Sequence, residues 1–171
     1  MRRLRILWMA LATVAVAFPA TAQVVCLGAS NTVGKSVSTQ DAYPAQLEAM
    51  LRAKGYTGHV ANEGISGDTT WGMLSRLDRA VPVGTRVVLL QPGGNDAQRG
   101  VPADREGNVA QIVERLKARQ IAVVMVAKSR YIALIQQGFG ADGIHLTAAG
   151  YHQLAAQLLP EVARALGLPA N

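Results

Sequence analysis

Along this chain, short apolar runs alternate with longer stretches in which apolar positions recur every three or four residues. Four runs read as strands: Val24 to Leu27, Gly58 to Ala61, Arg86 to Gln91 and Ile121 to Ala127. The intervening segments have helical period. Ala42 to Lys54 carries Pro44 near its first turn, Leu47, Met50 and Leu51 at helical spacing, and Gly55 as a stop. Thr69 to Ala80 carries Trp71, Leu74 and Leu77, and Ala103 to Arg119 sets Val109, Ile112, Val113 and Leu116 on one face. Thr147 to Leu166 closes the pattern, with Pro160 expected to bend or break it. Strands alternating with helices imply right-handed crossovers and a parallel sheet of four to five strands with helices on both faces, a three-layer α/β/α domain. In such a sheet ligands sit beyond the carboxyl ends of the strands. Polar, glycine-containing segments follow the first three strands: Gly28-Ala29-Ser30, Asn62 to Asp68, and Gly93-Gly94-Asn95-Asp96.

The first 22 residues stand apart from this pattern. Arg2, Arg3 and Arg5 make a basic start, Ile6 to Phe18 is an uncharged apolar run, and Ala20-Thr21-Ala22 is a small-residue cleavage signal. We read Met1 to Ala22 as a secretory signal peptide cleaved before Gln23, leaving one domain over residues 23–171. The apolar run, about 13 residues, falls short of the roughly 20 that a spanning helix needs, so no stable membrane insertion is expected after cleavage. The expected location is the periplasm or the exterior.

Composition changes the picture little. At 171 residues with 50% hydrophobic residues the chain suffices for one buried core. Its formal charge of +6 rests on 17 basic against 11 acidic residues; loss of Arg2, Arg3 and Arg5 with the leader leaves +3. No basic run resembles a nucleic-acid patch. The single cysteine, Cys26, forms no internal disulfide and reads as a buried strand residue.

The stretch CLGASNTVGKSVST, Cys26 to Thr39, bears two readings. From Ala29 it approximates a phosphate loop ending in Gly34-Lys35-Ser36. That loop needs its first glycine four residues before the Gly-Lys-Ser, where Ala29 stands, and Gly28 is one position early. The loop must also run directly into a helix, whereas Val37 to Asp41 is β-branched, polar and turn-like. From Gly28 the same letters place Ser30 just past an apolar strand, as a nucleophile would stand. A nucleophilic serine needs a base, an orienting carboxylate and oxyanion donors. Asp142-Gly143-Ile144-His145, ahead of the last helix, brings a carboxylate and an imidazole three residues apart across a glycine-containing turn.

Taken together, Gly28-Ala29-Ser30 (for Gly-Asp-Ser), Asn62-Glu63-Gly64-Ile65-Ser66-Gly67-Asp68-Thr69, Gly93-Gly94-Asn95-Asp96 and Asp142-Gly143-Ile144-His145 resemble, in order, the four blocks of the SGNH hydrolases, or GDSL-type esterases and lipases. Within that family the chain is most similar to small bacterial secreted arylesterases and lysophospholipase/thioesterases. The resemblance implies a flavodoxin-like SGNH fold, Ser30 as nucleophile, His145 as base and then acid, and Asp142 as its orienting partner. It also implies an oxyanion hole from the Ser30 and Gly67 N–H groups and the Asn95 amide. The implied activity is hydrolysis of a small-molecule carboxylic ester through an acyl-enzyme. The alternative is a weak or inactive relative that binds an acylated glycan or lipid.

Two departures matter. Ala29 replaces the aspartate before the nucleophile, so hydrogen bonds fixing that loop must come from elsewhere. Only Lys128 to Ala141 separates the fourth strand from the Asp142 block, where the family has a longer segment with a further helix and often a fifth strand. Loss of these elements would leave an open cleft suited to short acyl, aryl or acetyl esters, with Tyr131, Ile132, Leu134 and Ile135 as contacts and Trp71 near the oxyanion loop. Asp68 and Asp96 read as loop-bracing acceptors, Ser66 as a loop former, and His59 and His152 as surface or packing residues. No Cys/His/carboxylate cluster has zinc spacing, and neither a metal nor an organic cofactor is expected.

Overall fold

The computed structural model of the protein describes residues 22–101 and 104–169. The expected leader lies outside the described residues, apart from Ala22 at its end.

Four strands form one parallel sheet: β1 (Ala22–Gly28), β2 (His59–Gly64), β3 (Val87–Gln91) and β4 (Ala122–Met125), in the order β2-β1-β3-β4. The helices are α1 (Ser30–Val33), α2 (Tyr43–Ala53), α3 (Thr70–Ser75), α4 (Leu77–Ala80), α5 (Asn95–Gln98), α6 (Arg105–Ala118), α7 (Lys128–Leu134) and α8 (Ala148–Leu166).

The continuous apolar runs of the central strands β1 and β3 are explained by burial on both faces of the sheet. Because successive strand side chains point to opposite faces, Val24 and Cys26 of β1 join Leu47 and Leu51 of α2 and Leu154 and Leu158 of α8. Val25 and Leu27 join Met73 of α3, Leu77 of α4, and Ile112 and Leu116 of α6. Val87 and Leu89 of β3 take the first face and Val88 and Leu90 the second. Cys26 is fully buried, and burial pushes its thiol up to about 12.

The register determines where chemistry can gather. Gly28 at the end of β1 pairs with Gly64 of β2 on one side and Gln91 of β3 on the other. Three strands therefore end level, and the loops that follow them start side by side.

Three expectations need correction. The Thr69 to Ala80 segment is two short helices that meet at Arg76, not one. Arg76 is nearly buried, and its guanidinium is drawn inward to Asp68 and to the carbonyl of Glu63. Pro160 neither breaks nor ends α8, which runs through it for 19 residues. The proline is exposed on the outer side, while Leu154, Leu158, Val162 and Leu166 are buried on the inner one. Burial of four such side chains, at roughly 2 kcal/mol each, exceeds the roughly 3 kcal/mol that an internal proline costs. Finally, the short 128–141 connection has kept a helix, α7, followed by one wide turn over Ile135–Phe139. Among the described residues there is no fifth strand.

Candidate active site

Ser30 follows β1 after a single residue, Ala29, and opens α1. Its own N–H is at the first position of that helical turn, where no intrahelical acceptor exists. The turn packs directly on β2: a Cβ on Gly64 would stand 2.2 Å from the Val33 nitrogen, so only glycine lets α1 approach this closely.

His145 reaches Ser30 from 115 residues away in sequence. Its loop is closed by a bridge between Gly140 and Leu146, with the Ala141 N–H donating to the His145 carbonyl at 2.8 Å. Asn31 of α1 ties the loop down, its Nδ2 donating to the Ile144 carbonyl at 3.3 Å. Asn31 Oδ1 in turn accepts from the Tyr151 hydroxyl of α8 at 3.2 Å. The His145 imidazole is 5% exposed. Its Nε2 is 3.0 Å from Ser30 Oγ and its Nδ1 is 2.7 Å from Asp142 Oδ2.

The other Asp142 oxygen accepts from the Ile144 and His145 N–H groups at 3.0 and 2.8 Å. The imidazole hydrogen bond, followed by these two backbone donors, holds the Asp142 carboxyl well below the usual carboxylate range. An ionised Asp142 accepts only, so the Nδ1 proton faces it and Nε2 presents its lone pair to the Ser30 hydroxyl.

The expected oxyanion donors are held by a second set of bonds. Asn95, at the start of α5, lines the pocket beside Ser30, and one hydrogen of its amide goes to the Asp68 carbonyl at 2.8 Å. Gly67, with φ +78°, lies in the turn after β2 but not among the residues lining that pocket. Arg76 braces this turn, with Nε and Nη2 each 2.9 Å from Asp68 Oδ2. Asp96 is buried and accepts from the Thr70 hydroxyl at 2.6 Å. Both aspartates thus brace loops.

Sequence reasoning missed the group that replaces the motif's aspartate. Gln91, at the end of β3, is almost fully buried, and its Oε1 accepts from the Ala29 N–H at 3.1 Å and the Thr32 hydroxyl at 3.0 Å. The one signal in the sequence was a lone amide ending an apolar strand. Asn31 and Tyr151, 120 residues apart, gave none.

The pocket beside Ser30 has a volume of about 270 Å³. Tyr131, Ile132 and Ile135 line it. Leu134 does not, because it turns into the core. Trp71 does not either: it is 64% exposed and borders a separate hollow with Val101 and Asn108. His59 and His152 are at the surface, meeting Glu48 and Gln46 respectively. Among the described residues no group of three or more His, Cys, Asp or Glu side chains is arranged to hold a metal, and no helix is long and apolar enough to cross a membrane.

The chain is 30% identical over 124 residues to esterase TesA of Pseudomonas aeruginosa, covering 67% of this chain and 62% of that protein. It is 31% identical over 109 residues to an arylesterase of Vibrio mimicus, covering 63% and 54%. The chain thus spans less than two thirds of the length of these relatives. A crystal structure of TesA superposes with a TM-score of 0.69 at 25% identity, covering 83% of this chain and 98% of that one. Residues 26–137, most of the domain, match the model of the GDSL-like lipase/acylhydrolase family, and with that match and these relatives the chain belongs to this family.

Proposed function

We propose that the protein is a serine esterase that hydrolyses carboxylic esters through an acyl-enzyme. The observation that carries this reading is the continuous hydrogen-bonded chain Ser30 Oγ, His145 Nε2, His145 Nδ1, Asp142 Oδ2, at 3.0 and 2.7 Å. Ser30 Oγ attacks the ester carbonyl as its proton passes to His145 Nε2. The resulting imidazolium is stabilised by ionised Asp142. Negative charge developing on the carbonyl oxygen is met by the Ser30 N–H and the free amide hydrogen of Asn95, donors of a kind each worth about 10²–10³ in turnover, with the Gly67 N–H, in the turn that holds Asn95 through the Asp68 carbonyl, as the third. His145 returns the proton to the departing alcohol, then takes one from the water that attacks the acyl-enzyme. Breakdown of the second adduct releases the acid and restores Ser30.

The volume of the pocket, about 270 Å³, favours short acyl, acetyl or aryl esters. A long acyl chain needs an apolar trough to offset its exposure to water. The test is hydrolysis of 4-nitrophenyl acetate by the wild-type protein and by Ser30→Ala. Activity should vanish in the variant while its thermal unfolding stays unchanged. Full activity in Ser30→Ala excludes this mechanism. Labelling of Ser30 by a fluorophosphonate separates the enzyme from an inert relative that only binds acylated ligands, because only an activated serine reacts.

A further inference from the structure

The pocket beside Ser30 has an apolar wall made by Ile132, Ile135 and Ile144, and one formally charged residue among those that line it, Lys128 at the first position of α7. A second cation stands on the oxyanion side. Arg99, at the end of α5, brings Nη2 to 3.0 Å from where a Cβ on Gly67 would be. Among the described residues neither Lys128 nor Arg99 takes part in an ion pair.

No Asp or Glu is among the described residues lining the pocket, and each acid nearby has a hydrogen-bonding or ion-pair partner of its own. Asp142 is bound by His145, Asp68 and Glu63 face Arg76, and buried Asp96 is held by Thr70. A substrate entering the pocket therefore meets one unpaired positive charge on its lining, Lys128, and no carboxylate there, with Arg99 beside the Gly67 turn. An unpaired ammonium beside a partly dehydrated pocket attracts an anionic group within its reach and repels a cationic one.

We propose that this site selects esters that carry a separate negative charge, a carboxylate a few bonds from the scissile carbonyl, with Lys128 and Arg99 as the residues that recognise it. The proposal rests on the esterase reading above and names its substrate class. The charge can belong to the acyl part or to the leaving group, and these place it on different sides of Ser30.

The test compares kcat/KM within two pairs of esters. Mono-4-nitrophenyl adipate against 4-nitrophenyl hexanoate puts the carboxylate on the acyl chain. 4-Acetoxybenzoate against its methyl ester puts it on the leaving group. Each anionic-to-neutral ratio is measured for the wild-type protein, Lys128→Gln, Lys128→Glu and Arg99→Gln, so that the intrinsic reactivity of each ester cancels between proteins. The ratio for at least one pair should fall about five-fold in Lys128→Gln and further in Lys128→Glu, and 0.5 M salt should reduce the wild-type advantage. The pair that responds identifies which part of the substrate bears the charge. Ratios within about 1.5-fold of wild type for both pairs in all three variants overturn the proposal.

If no ester is turned over, the esterase reading fails, and selection is read from binding instead. Equilibrium dialysis of the adipate monoester and the hexanoate ester is then run on Ser30→Ala with and without Lys128→Gln. A selective loss of adipate affinity on removing Lys128 sustains anion recognition, and equal affinities overturn it.

Discussion

Replacing Gln91 with leucine keeps most of the side-chain volume but removes the oxygen that holds the nucleophile's loop. Two donors lose their acceptor: the Ala29 N–H at 3.1 Å and the Thr32 hydroxyl at 3.0 Å. Thr32 has a fallback in the Tyr43 hydroxyl at 3.4 Å. The buried Ala29 N–H has no other acceptor among the described residues. One orphaned buried donor, together with the lost net hydrogen bonds, amounts to about 2–3 kcal/mol. For a domain of this size that is a fall in Tm of roughly 5–10 °C.

The same loss frees the residue just before Ser30, so Oγ should no longer be held at 3.0 Å from His145 Nε2. Labelling of Ser30 by a fluorophosphonate should slow by about ten-fold or more, since small misplacements of reacting atoms are costly. Differential scanning fluorimetry reads the first effect and timed labelling, well below the new Tm, reads the second. Gln91→Glu, which keeps the acceptor oxygen, should retain most of the labelling rate. A Gln91→Leu protein that melts within about 2 °C of wild type and labels at the wild-type rate refutes the reasoning.

Two further perturbations bear on the site. The folded-state pKa of Asp142 is depressed, so the stability it contributes is present above the unfolded carboxyl value of about 4 and is lost as pH falls below it. Melting curves from pH 3 to 7 should therefore show wild type losing Tm more steeply than Asp142→Asn below about pH 4, and a gap between the two that is independent of pH contradicts this. In Gly64→Ala the new Cβ meets the Val33 backbone at 2.2 Å, so α1 must move; a loss of about 2 kcal/mol or more and slower labelling of Ser30 are expected, and an unchanged Tm would count against the packing argument.

Much of this protein is written locally. The continuous apolar runs identify β1 and β3, because a strand covered on both faces has no polar side to alternate with, whereas the edge strands β2 and β4 are only partly covered. The helical periods of Tyr43–Ala53 and Arg105–Ala118 are equally legible, and Ser30, Asp142 and His145, proposed from the sequence as one site, lie in one hydrogen-bonded chain. The bend expected at Pro160 misled because a local preference of a few kcal/mol was outweighed by the buried face of α8.

Other features exist only in three dimensions. Gln91 replaces the missing aspartate because the register of β1 on β3 sets it opposite Gly28. The Asn31–Tyr151 bond that ties the histidine loop to α1 spans 120 residues, and the separation of Trp71 from the pocket follows from how α3 packs. The sequence determines which segments bury apolar surface, a matter of each residue's neighbours along the chain. Strand order and register decide which polar groups then meet, since buried donors and acceptors must be paired by whatever the fold brings beside them.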